Sequence, residues 1–218
     1  MPPRMPRLPN IAATLAATGS LVAAMACSSS STKAPDAPVT TTSFTVAADS
    51  TLTGYVLAYS STAGSFRSWF GTQSPTVGDN DQFVNGEAYR AVVTFHLPAA
   101  PAQATFKSAT MAISQCQGNG SPFTSLGSVV ADHLVPTAFP DSATYDTTAL
   151  AANVATIATD STTTVATIPL TSSVAADYAA GDTTSMYRFR FSIEDTNNDD
   201  VTDNVVFCPP TLTVTFSP

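Results

Sequence analysis

Strict alternation of apolar and polar residues marks the central part of this chain. Tyr89, Ala91, Val93, Phe95 and Leu97 fall on one face of an extended segment, while Arg90, Thr94 and His96 fall on the other. A period of two is that of a half-buried β-strand, because successive side chains in a strand point to opposite sides of the sheet. The pattern recurs in Ala109, Met111 and Ile113 against Thr110, Ala112 and Ser114, and in Leu212, Val214 and Phe216 against Thr211, Thr213 and Thr215. It recurs again in Phe189, Phe191 and Ile193 against Arg188 and Arg190. These segments are expected to supply the core. Less regular patterns predict strands over 44–48, 52–59, 126–135 and 163–168, with turns at Gly78-Asp79-Asn80, at Gly118-Asn119-Gly120 and over 98–101. Only 172–180 reads as a helix, with Ser172 or Ser173 as its cap and Gly181 as its stop. About eight or nine short strands with one small helix predict an all-β fold, a two-sheet antiparallel β-sandwich of jelly-roll type.

The N-terminus has a different character. Arg4 and Arg7 form a short positive region, and 11–26 then run almost without charge or large polar groups. This is the pattern of an export signal. Rich in Ala, Thr and Gly, the apolar stretch falls short of the roughly 20 residues of a membrane span, so it reads as cleaved. Ala24-Met25-Ala26 satisfies the small-x-small rule of ordinary signal peptidase, while the run from Leu21 to Cys27 also resembles a bacterial lipobox, with Ala24 where Leu is usual. The flanking sequence favours lipid on Cys27, because Ser28-Ser29-Ser30-Ser31-Thr32 and Lys33-Ala34-Pro35-Asp36-Ala37-Pro38 form a flexible and then stiffened tether. The expected organisation is a signal peptide over 1–26, a tether over 27–42 and one β-sandwich domain over 43–218. Ser28 after the cysteine fits sorting to the outer membrane or cell surface of a Gram-negative cell; simple secretion or a soluble periplasmic form is the alternative.

Removal of 1–26 leaves six basic residues against sixteen acidic ones, a net charge of −10. Such a surface is repelled by nucleic-acid phosphates and by anionic headgroups, so nucleic acid is excluded as a partner and contact with the membrane falls to the lipid anchor. Beyond Cys27 the chain has only Cys116 and Cys208. In an oxidising compartment an even pair predicts a disulfide, with two buried thiols as the alternative. Cys116 closes one predicted strand and Cys208 precedes another, so antiparallel neighbours bring the sulfurs together.

Tyr89-Arg90-Ala91-Val92-Val93-Thr94-Phe95-His96-Leu97-Pro98, followed by Ala104-Thr105-Phe106-Lys107-Ser108-Ala109-Thr110-Met111-Ala112-Ile113, resembles the core of the DNRLRE-type, disaggregatase-related β-sandwich domains. The segments 164–170 and 171–181 are similar to that family's late strand and helix, and Pro210-Thr211-Leu212-Thr213-Val214 to its closing strand. The resemblance implies a sandwich appended to a secreted or surface protein, of a kind that includes carbohydrate-binding modules. Its motifs are core positions and specify fold, not ligand. His96 stands where the family usually has Asp, and Ile168-Pro169-Leu170 replaces its acidic approach to the helix, so polar roles at those places do not carry over.

Catalytic signatures are scarce. The two histidines, His96 and His133, fall inside predicted strands, where a solvated or hydrogen-bonded structural role is expected. Nucleophile elbows, zinc-protease motifs and phosphate loops are absent from the sequence, and no carboxylate pair stands out for glycoside cleavage. Two weaker signals remain. Over 195–203, Asp195, Asn197, Asp199, the carbonyl of Val201 and Asp203 follow the alternate-residue rhythm of a calcium loop, although Asp200 replaces its Gly and Val206 its bidentate Glu. The alternative is a polar hairpin tip of turn-forming residues. Phe66-Arg67-Ser68-Trp69-Phe70-Gly71 holds the single Trp, which, with Arg67 beside it, either stacks on a sugar ring or packs as core. Three function classes follow. They are a non-enzymatic surface lipoprotein that binds polysaccharide, an assembly lipoprotein that packs on an envelope protein or on itself, and a polysaccharide-degrading enzyme. An exposed aromatic platform marks the first, an unpaired edge strand the second and two carboxylates in a cleft the third.

Overall fold

Strands form where the sequence alternates and also in several places where it does not. The computed structural model describes residues 40–59, 66–71, 74–80, 87–193, 195–197 and 199–218, all within the unit Val39–Pro218. The expected signal peptide, Cys27 and the tether as far as residue 39 lie outside the described residues. In chain order the elements are β1 (Thr42–Ala47), β2 (Gly54–Tyr59), β3 (Phe66–Phe70), β4 (Thr76–Asp79), β5 (Glu87–His96), β6 (Thr105–Ile113) and β7 (Gln115–Asn119). There follow a one-turn helix α1 (Pro122–Ser125), β8 (Val129–Leu134), a 3-10 turn (Ser142–Tyr145), β9 (Ala151–Ala158), β10 (Ala166–Pro169) and helix α2 (Thr171–Ala180). The chain closes with β11 (Thr184–Phe191), β12 (Asn204–Phe207) and β13 (Thr211–Ser217).

All pairings are antiparallel, and they make two sheets. The smaller has the order β1-β13-β6-β10; the larger runs β7-β12-β4-β5-β11-β8-β9, with β2 added on β5 and β3 on β2. This is the all-β sandwich expected from the alternation. The inward faces meet as predicted: Ala91, Val93 and Phe95 of β5 and Phe189 of β11 join Met111, Ile113, Leu212, Val214 and Phe216 in one buried cluster. On the outward face of the smaller sheet the polar half of each pattern is satisfied by its neighbour, with hydroxyl pairs Ser43–Thr215 and Thr45–Thr213 at 2.9 Å each.

Several expectations are corrected. Gly78 and Asp79 belong to β4 instead of a turn, and Asp79 is fully buried because its Oδ1 accepts the amide of Asp203 at 2.8 Å. Gly118 and Asn119 likewise close β7, paired with β12. The helix starts after Leu170 with no side-chain cap, although Gly181 ends it in the left-handed region as predicted (φ 81°). Ile193 lies beyond the end of β11 and is 72% exposed, because Ser192 and Ile193 turn away to donate their amides to Ser128 and Leu126. The face of β11 that carries Arg188 and Arg190 is also not a solvent face. A second apolar cluster of Val56, Val92, Leu134, Tyr145 and Met186 lies on that side of the larger sheet, with Tyr145 contributed by the 3-10 turn.

Candidate functional site

The clearest surface feature grows out of the β3-β2-β5 pairing. Register places Trp69 opposite Tyr55, and Leu57 opposite both Arg67 and Tyr89, so these side chains share one side of the sheet. The rings of Trp69 and Tyr55 stack with centroids 5.5 Å apart and planes 25° apart, and Tyr89 meets Tyr55 edge-on at 5.3 Å. Trp69, Tyr55 and Tyr89 are all half-buried, and Arg67 is exposed at the end of the row. Trp69 is therefore neither a lone exposed ring nor a core residue. It is the outer member of a three-ring platform.

Beside the platform lies a cleft of about 340 Å³ lined by Tyr55, Tyr89, Ser74, Thr76, Asn119, Asn204 and Val206. Its amides are held in place: Asn119 Nδ2 donates to Asn204 Oδ1 at 2.8 Å, and Asn204 Nδ2 donates to the carbonyl of Asp79 at 3.2 Å. Tyr89 donates its hydroxyl to Glu87 Oε2 at 2.9 Å. Burial, reinforced by the Glu87 carboxylate, pushes the phenols of Tyr55 and Tyr89 upward, so both stay neutral hydroxyls at physiological pH. Stacking faces, neutral hydroxyls and amides are what this lining offers.

A second polar constellation was not read from the sequence. Asp132 of β8, almost fully buried, accepts Nη2 of Arg188 at 2.8 Å and Nε of Arg190 at 2.9 Å, and its other oxygen takes the amide of Asn153 at 3.0 Å. Arg188 Nη1 then donates to the carbonyls of Tyr145 (2.7 Å) and Thr147 (2.9 Å). Arg90 donates to the same Tyr145 carbonyl at 2.6 Å, lies 4.0 Å over the Tyr145 ring and pairs with Asp195 at 2.6 Å. Arg90 and Arg188, on adjacent strands, thus fasten the 3-10 turn to the sheet, while Arg190 joins Asp132 to Asn153 of β9. The available signal was the coincidence of Arg90, Arg188 and Arg190 on the polar sides of two predicted core strands.

The residues expected to bind calcium have protein partners of their own. Asp195 Oδ2 belongs to Arg90 and accepts the Tyr145 hydroxyl at 3.2 Å. Asp199 accepts Nδ2 of Asn197 and the amide of Val201, both at 2.9 Å, which closes a local turn. Asp203 turns the other way, accepting the amide of Ser121 at 2.5 Å and the hydroxyl of Ser125 at 2.8 Å across α1. Asp195 Oδ1 and Asn197 Oδ1 are buried without a protein partner. Among the described residues no group of three or more His, Cys, Asp or Glu is arranged to hold a metal ion.

The histidines part company. His96 is exposed and lies 2.6 Å from Asp49, whereas His133 is buried, pairs with Asp177 of α2 at 2.8 Å and stacks on Tyr187. Cys116 and Cys208 are joined as a disulfide, with Cα atoms 5.1 Å apart. No family model matches the chain, and no curated protein is significantly similar to it.

Proposed function

We propose that the mature protein is a non-enzymatic surface lipoprotein whose sandwich binds a neutral polysaccharide along the Trp69-Tyr55-Tyr89 face. The observation that carries this reading is the stacked aromatic row bordering a cleft of fixed amides and hydroxyls. A pyranose presents an apolar C–H face and a rim of hydroxyls, and such ligands are held by rings for area and by a few placed polar groups for orientation. The acidic balance of the chain argues for an uncharged glycan, since uronate or sulfate groups are repelled by a net charge of −10. The resemblance to DNRLRE-type domains agrees with this reading. This reading does not call on calcium: Asp195 pairs with Arg90, Asp199 accepts the Val201 amide and Asp203 accepts the Ser125 hydroxyl.

Titration against a panel of soluble and insoluble neutral polysaccharides tests the site. Trp69→Ala should weaken binding at least about tenfold, equivalent to about 1.4 kcal/mol, without lowering the melting temperature appreciably. Equal affinity of wild type and Trp69→Ala, or no binding across the panel, would discard the proposal. Anchoring is tested separately. In a Gram-negative host the wild type should incorporate labelled fatty acid and partition into detergent, and Cys27→Ser should do neither; an unlabelled, soluble wild type means ordinary secretion.

A further inference from the structure

Among the described residues, five strands bond to only one neighbour: β1, β3, β7, β9 and β10. An unpaired edge is a template for another strand, and proteins blunt it with charge, proline, bulges or short length. Four of the five carry such a device. β3 bears the exposed Arg67, and β10 is four residues long and ends in Pro169. β9 breaks register with β8 twice and holds Asn153 at φ 52°, and β7 shifts register against β12 and carries the Cys116 disulfide. β1 has none of these. Its six residues, Thr-Ser-Phe-Thr-Val-Ala, hold an unbroken register with β13 from Thr42 to Ala47 and include no charge, proline or glycine.

We infer that β1 is an assembly edge, through which two copies of this chain pair their β1 strands antiparallel and merge two four-stranded sheets into one of eight. Three observations favour a second copy as the occupant. First, β1 and the β13 residues paired with it are uncharged, since its outward residues Ser43, Thr45 and Ala47 lie beside Thr215, Thr213 and Thr211. In a chain of formal net charge −8 two acidic bodies can approach only where the contact itself is free of carboxylates. Second, Phe44 packs against Phe216 yet remains 37% exposed at this edge, and an added strand would cover it. Third, β1 is complementary to itself. A two-fold axis at Thr45 sets Phe44 opposite Val46 and Ser43 opposite Ala47; an axis at Phe44 sets Ser43 opposite Thr45, continuing the hydroxyl ladder already formed with β13. Both registers keep apolar side chains on the inner face, whereas an axis between the two residues mixes the faces and is disallowed by the two-residue period. The inference does not rest on polysaccharide binding, as Trp69 belongs to the other sheet.

The experiment is the mass of the exported full chain, purified in detergent, by light scattering and native mass spectrometry, with oxidative cross-linking of single-cysteine variants. The wild type should have the mass of two copies, and Thr45→Lys should have that of one with unchanged circular dichroism and melting. Either Thr45→Cys or Phe44→Cys should yield a disulfide to its own copy, and which of them does so identifies the axis. Ser43→Lys replaces Thr45→Lys if the latter is destabilised. A single-copy wild type at every concentration up to the solubility limit overturns the inference. So does a two-copy mass that survives the lysine variants, and so does the absence of both cross-links.

Discussion

Asp132 is a carboxylate with almost no contact with solvent, and it is tolerable there only because two guanidinium groups and a backbone amide surround it. Burial raises its pKa, but the hydrogen bonds from Arg190 and Arg188 outweigh that and leave it lowered. A carboxyl whose folded pKa is depressed adds stability above its unfolded pKa, near 4, and loses it as pH falls through the folded value. Stability should therefore hold between about pH 5 and 7 and decline below about pH 4, with a shallower acid limb in Asp132→Asn, as read from urea midpoints. At neutral pH Asp132→Ala should cost about 3–5 kcal/mol, because the buried Arg188 and the half-buried Arg190 lose their counter-charge. His96→Ala should cost less than about 1 kcal/mol, since its pair with Asp49 is solvated. Urea unfolding of both variants checks the contrast.

At the scale of elements, glycine and aspartate misled the reading of β4. Gly78-Asp79 looks like a turn because both residues favour one, yet Gly78 is used for its φ of 112° inside a strand. Its missing side chain also admits the neighbouring strand, since a Cβ there would collide with the Asp203 carbonyl. Gly181 has φ 81° as well, but a Cβ there meets nothing. Gly181→Ala should thus cost only about 1 kcal/mol of backbone strain, while Gly78→Ala should cost several times that and shift β12. Thermal melting of the two variants measures the difference, and near-equal losses would refute the close-approach argument. Other strands escaped notice for a different reason. β9 reads Ala-Ala-Asn-Val-Ala-Thr-Ile-Ala, in which small residues give no contrast between faces and only Ile157 is buried.

For the whole molecule, the disulfide ties β7 covalently to the segment that follows β12. Cys116 and Cys208 are 92 residues apart, and a loop of that length removes on the order of 4 kcal/mol from the unfolded state in the chain-entropy model. Cys116→Ser with Cys208→Ser should lower the melting temperature by roughly 10 °C for a domain of this size. The reduced wild type should melt with the double variant. A shift below about 2 °C would mean that the sheet pairing of β7 with β12 holds this end of the sandwich unaided.

The sandwich was already legible in the alternation of apolar and polar residues. Four strongly alternating segments, β5, β6, β11 and β13, could bury their apolar sides only by facing one another across two sheets. The acidic balance and the end of α2 were legible in the sequence too, since each depends on local composition or a single backbone requirement. What the polar residues do follows from long-range packing. Whether Arg188 and Arg190 meet solvent or a buried carboxylate depends on the 3-10 turn folding over that face, and whether Trp69 is core or platform depends on Tyr55, backed by Tyr89, reaching it from another strand. Alternation tells which side of its strand a residue occupies. It does not tell what lies above that side, because the covering segment comes from elsewhere in the chain and arrives by long-range pairing.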